Sequence, residues 1–113
     1  MTRPTNDIHA GTLDLLILKA LSHGPAHGFA VARWIELTTD DVLAVGEGTL
    51  YPALHRLEER EMIEAEWGVS ENNRRAKYYE LTGAGRQHLR AEMVAWQRYA
   101  DAVLKALSSP AGP

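Results

Sequence analysis

The chain has no cysteine, which excludes disulfides, thiolate metal sites and cysteine nucleophiles and suits a reducing compartment. Long hydrophobic runs are also missing. The most apolar stretch, Leu13 to Leu21, is broken by Asp14 and Lys19 and closed by Gly24-Pro25, far short of the roughly 20 residues that span a bilayer. Met1 to Gly11 is polar and lacks the apolar core of a secretory signal. The expectation is a soluble, cytoplasmic protein with no membrane partner. Positive charge is not in excess either: Lys and Arg number 12 against 15 Asp and Glu, a net charge of −3 at pH 7. That excludes a protein that coats nucleic acid indiscriminately.

Catalytic and metal-binding patterns are absent too. His9, His23, His27, His55 and His88 are the only histidines. His23 and His27 are separated by Gly24-Pro25, which spoils a helical pair, and no acidic residue completes a ligand set at a recognisable spacing. Surface and capping roles are expected for them. There is no nucleophile elbow and no phosphate-cradling glycine loop. The expectation is therefore no metal, no cofactor and no enzymatic activity.

What the chain does contain is enough for one domain. It has 113 residues, 45% of them hydrophobic, which is ordinary for a globular protein and too apolar for disorder. A domain this small buries a limited share of its surface, so help from a partner subunit is natural. Leu13, Leu16, Ile17, Ala20 and Leu21 lie on one face of a helix from Thr12 to Ser22, with Thr12 as N-cap and Ser22-His23-Gly24-Pro25 as the stop. Leu15 and Leu18 lie on another face. A helix apolar on two sides is covered twice, by its own chain or by a second subunit.

A second helix is expected from Gly28 to Thr38 with Phe29, Ala32, Ile35 and Glu36 at helical spacing, and Val42 to Val45 reads as a short strand or a turn. Gly46-Glu47-Gly48 opens a third helix in which Leu50, Leu54 and Leu57 repeat. Pro52 is tolerated near its beginning, where donors are unpaired anyway. Met62 to Trp67 and Ala76 to Leu81 read as strands joined through Gly68, Ser70, Asn72 and Asn73, a hairpin with a polar tip. Thr82 caps a final helix from Gly83 to Leu107. On it Leu89, Met93, Trp96, Ala100, Val103 and Leu107 are spaced 4, 3, 4, 3, 4, the seam of a coiled coil.

Charge is distributed unevenly across the hairpin. From Glu58 to Glu71 six glutamates stand against Arg60 alone, whereas from Asn72 to Arg90 Arg74, Arg75, Lys77, Arg86 and Arg90 stand against Glu80 alone. Burying Leu50, Leu54 and Leu57 turns Thr49, Tyr51, Pro52, His55 and Arg56 outward. Hydroxyls, an arginine and apolar surface are the groups that read a major groove. A basic hairpin tip placed directly after such a helix reaches phosphates, which assigns Arg74, Arg75 and Lys77 to DNA contact. Tyr78 or Tyr79 packs beneath the hairpin. The fold class expected is mainly α with a small β-hairpin (α+β), a winged helix-turn-helix followed by a long C-terminal helix. Its parts are a polar arm (1–10), a DNA-binding domain (11–82), a dimerisation helix (83–107) and a tail (108–113).

The run Gly48-Thr49-Leu50-Tyr51-Pro52-Ala53-Leu54-His55-Arg56-Leu57-Glu58 resembles the recognition-helix signature of PadR-type transcriptional regulators. Gly11-Thr12-Leu13, His27-Gly28, Arg74-Arg75-Ala76-Lys77-Tyr78-Tyr79, Leu81-Thr82 and Gly85 extend the resemblance, which covers Ala10 to Leu107. It implies a homodimeric repressor of a palindromic operator in double-stranded DNA. The single final helix matches the short form of the family, in which that helix packs on the partner subunit, including its first helix. A dimer interface of Leu15, Leu18, Leu89, Met93, Trp96, Ala100, Val103 and Leu107 is expected on that basis. In multidrug-binding members a tryptophan matching Trp96 stacks on flat ligands at the dimer centre. That implies a planar aromatic effector beside Met93, Trp96, Ala100 and Leu15; the alternative for Trp96 is simple packing in the seam. Two places depart from the family pattern: Glu61, where glycine is usual, and the wing tip, where a glycine is usual near Asn73. The rival functional reading is a winged-helix module that binds protein or ligand without touching DNA.

Overall fold

The computed structural model describes residues 8–111. Residues 1–7 of the expected arm and 112–113 of the expected tail lie outside that range. Among the described residues the order is α1 (Ala10–Leu21), β1 (Ala26–His27), α2 (Gly28–Thr38), α3 (Glu47–Glu59), β2 (Ile63–Val69), β3 (Arg75–Leu81) and α4 (Gly83–Leu107). The strands form an antiparallel sheet in the order β1-β3-β2. The α+β class holds, but the hairpin is two-thirds of a sheet. Strand β1, at two residues, is too short to show an alternation, and it pairs Ala26 with Tyr79 and His27 with Tyr78.

The core is built where the three short helices meet the sheet. Leu13, Ile17, Leu18 and Leu21 of α1, Val31 and Ile35 of α2, Leu50, Ala53, Leu54 and Leu57 of α3, and Ile63, Tyr79, Leu81 and Leu89 are all buried. Of the residues expected at helical spacing on α2, Ile35 is buried and Ala32 packs against the core, but Phe29 is not inside. Gly28, Val31 and Ile35 are its buried face, Ala32 is half-buried and Phe29 is 71% exposed. The period is helical either way; the packing of α2 on α1 and α3 chooses the face.

Helix ends carry further differences from expectation. Helix α1 begins at Ala10, not after Thr12: the Leu13 amide donates to the His9 carbonyl, and no side chain caps the end. At α2 the His27 ring nitrogen Nδ1 accepts from the Ala30 amide at 3.2 Å, satisfying one of the free donors of the first turn. Thr82 caps α4 as expected, its Oγ1 accepting from the Gly85 amide at 3.0 Å. Glu61 has φ 61°. The Met62 amide donates to the Leu57 carbonyl and the Glu61 amide to the Glu58 carbonyl, both at 3.0 Å, so α3 ends in a Schellman motif with glutamate at the left-handed position. The bend Val42 to Val45 contains a single bridge residue, Leu43.

From about Arg90 onward α4 leaves the rest of the chain. Its residues from there to Leu107 are exposed except the half-buried Ala100, which accounts for the elongated 59 × 36 × 21 Å envelope. No helix among the described residues is long and apolar enough to cross a membrane.

Candidate nucleic-acid interface

Helix α3 buries Leu50, Ala53, Leu54 and Leu57 and leaves Thr49, Tyr51, Pro52, His55 and Arg56 exposed, as the spacing of its leucines requires. The two flanks of the helix differ. On one, Tyr51 lies against the start of α2, so close that a Cβ at Gly28 would meet the Tyr51 ring at 2.9 Å. Only glycine lets that approach occur. Further along the same flank Glu58 accepts from Lys77 Nζ of β3 at 3.3 Å. On the other flank Arg56 Nη2 stands 3.7 Å from Asp14 Oδ1 of α1.

Strands β2 and β3 carry the wing. Their register pairs Trp67 with Lys77, Gly68 with Ala76 and Val69 with Arg75. The tip closes through the Ser70 amide donating to the Arg74 carbonyl at 2.8 Å and the Asn73 amide to the Ser70 carbonyl at 2.9 Å. Asn73 takes φ 57°, the left-handed conformation that asparagine tolerates best after glycine. Arg75 belongs to the strand and not to the turn, and its guanidinium lies 4.5 Å from the Trp67 ring centroid. This cation–π contact holds the arginine in place over an exposed indole. Tyr79 packs under the wing; burial pushes its phenol up from the ordinary value, with Lys77 opposing the shift and Glu58 adding to it.

Between wing, α2 and α3 runs a groove of about 660 Å³ lined by His27, Phe29, Tyr51, Trp67, Arg74, Arg75 and Lys77 among others. Three exposed aromatic rings and three cations face one open cleft. Four of the residues expected at DNA therefore converge there, Tyr51, Arg74, Arg75 and Lys77. Thr49, Pro52, His55 and Arg56 lie on α3 outside the groove lining. Lys77 is less free than its position on the basic stripe suggested, because it is half-buried and already paired with Glu58. Phe29 and Trp67 also line the groove, though sequence spacing gives Phe29 only a position on a helix and Trp67 only a position on a strand.

The residues expected at a subunit interface separate into two groups. Leu18 is wholly buried by the chain itself and Leu89 is 6% exposed, so Leu18 has no surface and Leu89 very little to offer a partner, a correction to their expected interface role. Alternation along a helix identifies an apolar face without saying what covers it. Met93, Trp96, Val103 and Leu107 are exposed, while Ala100 and Leu15 are half-buried.

A helix-turn-helix whose second helix is followed by a basic, aromatic-lined β-wing defines a winged-helix protein of the DNA-binding type. Comparison with known proteins identifies which kind. The family model described as the transcriptional regulator PadR-like family matches residues 17–91, and the chain belongs to that family. It is similar to uncharacterized protein X of Lysinibacillus sphaericus, 32% identical over 91 residues that make up 80% of this chain and 84% of that protein. Among solved structures, a transcriptional regulator from Clostridium thermocellum superposes with a TM-score of 0.76 at 29% identity, covering 84% of this chain and 92% of the other. A PadR-like transcriptional regulator from Bacillus cereus gives 0.76 at 25% identity over 88% and 95%. The chain is thus a DNA-binding transcriptional regulator of the PadR-like family.

Proposed function

We propose that the chain acts as a homodimeric repressor of a palindromic operator and is relieved by a planar aromatic effector held between the subunits. The observation that carries this reading is the uncovered apolar stripe on α4. Met93, Trp96, Val103 and Leu107 repeat along one side of a helix that makes no further use of them, and Leu107 is 78% exposed. A contiguous apolar surface of this length is characteristic of an interaction site, and the 4-3-4-3 spacing suits a second helix of the same kind. In this reading residues 11–82 form the DNA-binding unit, 83–107 the dimerisation helix, and 1–10 and 108–113 the arm and tail.

Each subunit would read one half-site. Thr49, Tyr51, Pro52, His55 and Arg56 meet base edges and nearby phosphates, and Arg74, Arg75 and Lys77 meet the backbone. Support for an effector site comes from Trp96 and Met93, which stay exposed, beside Ala100 on the same seam and Leu15 on the neighbouring helix. An indole face and a thioether suit a flat apolar ligand.

The test is selection of bound duplexes from a random pool, with sedimentation equilibrium on the same preparation. An inverted repeat with half-sites spaced by about one helical turn or its multiples, bound by a two-chain species, is expected. Recovery of a single unrepeated site by a one-chain species refutes the dimer. A reporter placed behind the recovered site should be silenced, and activation refutes the repressor. Planar aromatic compounds should quench the intrinsic fluorescence of the wild type and fail to do so in Trp96→Phe, which retains Trp34 and Trp67. Equal quenching in both, or none in either, refutes the effector site.

A further inference from the structure

Asp14 is a carboxylate of α1 that the structure sets beside the reading helix. It lies on the half-turn of α1 that faces α3, with its side chain largely covered, and its Oδ1 is shut off from solvent without any hydrogen-bond donor. The nearest cation is Arg56 Nη2 at 3.7 Å, longer than the 2.7–2.9 Å typical of a charge-assisted hydrogen bond. Arg60 at the end of α3 and His88 in α4 are the other cationic or titratable groups whose fields reach the carboxylate. Arg56 itself is half-exposed. The pair is therefore an attraction across a gap, with the carboxylate largely covered and the guanidinium half-exposed and free to turn toward solvent.

A buried acceptor with no donor is costly and uncommon. A pair that served only to fasten α1 to α3 would close the last ångström and satisfy that oxygen. Left open, the carboxylate instead competes for the guanidinium with any anion presented on the exposed side of α3. The five N–H donors of arginine gain most from a planar, two-point acceptor and least from an isolated charge.

We propose that Asp14 is a specificity-determining positioning residue, which retains Arg56 against α1 until a duplex offers an acceptor placed well enough to take it. The inference rests on the reading of α3 as the DNA-facing helix. A phosphate at an arbitrary position gains little over Asp14, whereas a correctly placed base edge or phosphate gains more. Asp14 thereby lowers affinity for wrong sequences more than for right ones.

The experiment is a salt titration of fluorescence anisotropy on a random-sequence duplex and on the duplex recovered by selection, for wild type, Asp14→Asn, Arg56→Gln and the double variant. Asp14→Asn should tighten the random duplex by about three- to tenfold and steepen the plot of log affinity against log salt by about 0.9, the value of one additional phosphate contact. The gain on the selected duplex should be smaller, so discrimination falls. In the Arg56→Gln background Asp14→Asn should change nothing. An unchanged slope in Asp14→Asn, or the same gain with and without Arg56, overturns the proposal; the second result would mark a general effect of net charge. If Arg56→Gln is inert while Arg75→Ala weakens binding, the proposal alone fails. If both are inert, the DNA-facing surface itself is wrong. Asp14→Ala removes the same charge and replaces the amide should Asp14→Asn fold poorly.

Discussion

Glu61 sits where α3 turns into the wing, and replacing it with glycine tests the backbone reasoning with few side effects. Its φ of 61° costs an L-residue about 1–2 kcal/mol relative to ordinary conformations. A carboxylate just past a helix C-terminus adds about 0.3 kcal/mol or more through the helix dipole. Against these, glycine loses about 0.5–1 kcal/mol more backbone entropy on folding. Position 61 contributes only backbone atoms to the bonds of the turn: its amide donates to the Glu58 carbonyl, and its carbonyl accepts from Thr82 Oγ1 at 2.7 Å. Glycine keeps every one of them. The net expectation is a stabilisation of about 0.5–1 kcal/mol, or about 2–5 °C in the thermal midpoint for a domain of this size. Far-UV circular dichroism melts at one fixed protein concentration measure it, since association would shift the midpoint with concentration. Glu61→Ala separates the two contributions, because alanine removes the charge and keeps the strain. Its gain should be only a few tenths of a kcal/mol. A glycine variant no more stable than the alanine variant refutes the assignment of strain to this residue.

Gly85→Ala should do the opposite, because a Cβ there would overlap the Met62 carbonyl. Overpacking against fixed backbone costs about 1–3 kcal/mol or more, and a denaturant midpoint equal to wild type contradicts it. At the wing, Arg75→Ala should weaken every duplex and reduce the salt slope by about 0.9. Lys77→Ala should do so less, because Glu58 already holds Lys77; anisotropy titrations giving equal losses contradict the difference. Burial pushes the Asp14 carboxyl above its ordinary 3.8, with Arg56, Arg60 and His88 pulling against it. A raised carboxyl means the folded state binds the proton more tightly than the unfolded one, so its contribution is present at acid pH and lost as pH rises through the folded value. Asp14→Asn should therefore melt higher than wild type at neutral pH and lose the advantage as pH falls below the carboxylate range. A lower midpoint at neutral pH contradicts that sign.

Much of the architecture could be read directly from the chain. The leucines of α3 specify that Thr49, Tyr51, Pro52, His55 and Arg56 face outward, because once those leucines are buried the helix has only one phase left. Thr82 and the positive φ at Asn73 follow equally from local chemistry. Helix α2 shows where such reasoning stops: Phe29 and Val31 both fit a helical stripe, and only contact with α1 and α3 decides that Val31 goes inside and Phe29 faces the groove. Strand β1 escapes for a different reason, since two residues have no periodicity and acquire strand geometry only by pairing with Tyr78 and Tyr79.

The basic wing shows both sides of this division. Charge order along the chain already separated the acidic stretch before Glu71 from the basic one after Asn72, and the turn residues between them required a hairpin. Those are local properties, set by neighbours a few bonds away. The stacking of Arg75 on Trp67 joins residues across the hairpin, and the hold of Glu58 on Lys77 and the placement of Arg56 beside Asp14 join residues on different elements. They exist only because strand register and helix packing bring these groups within a few ångströms. The chain thus determined which residues are outward and basic; the tertiary structure decided which of those charges are free to meet DNA.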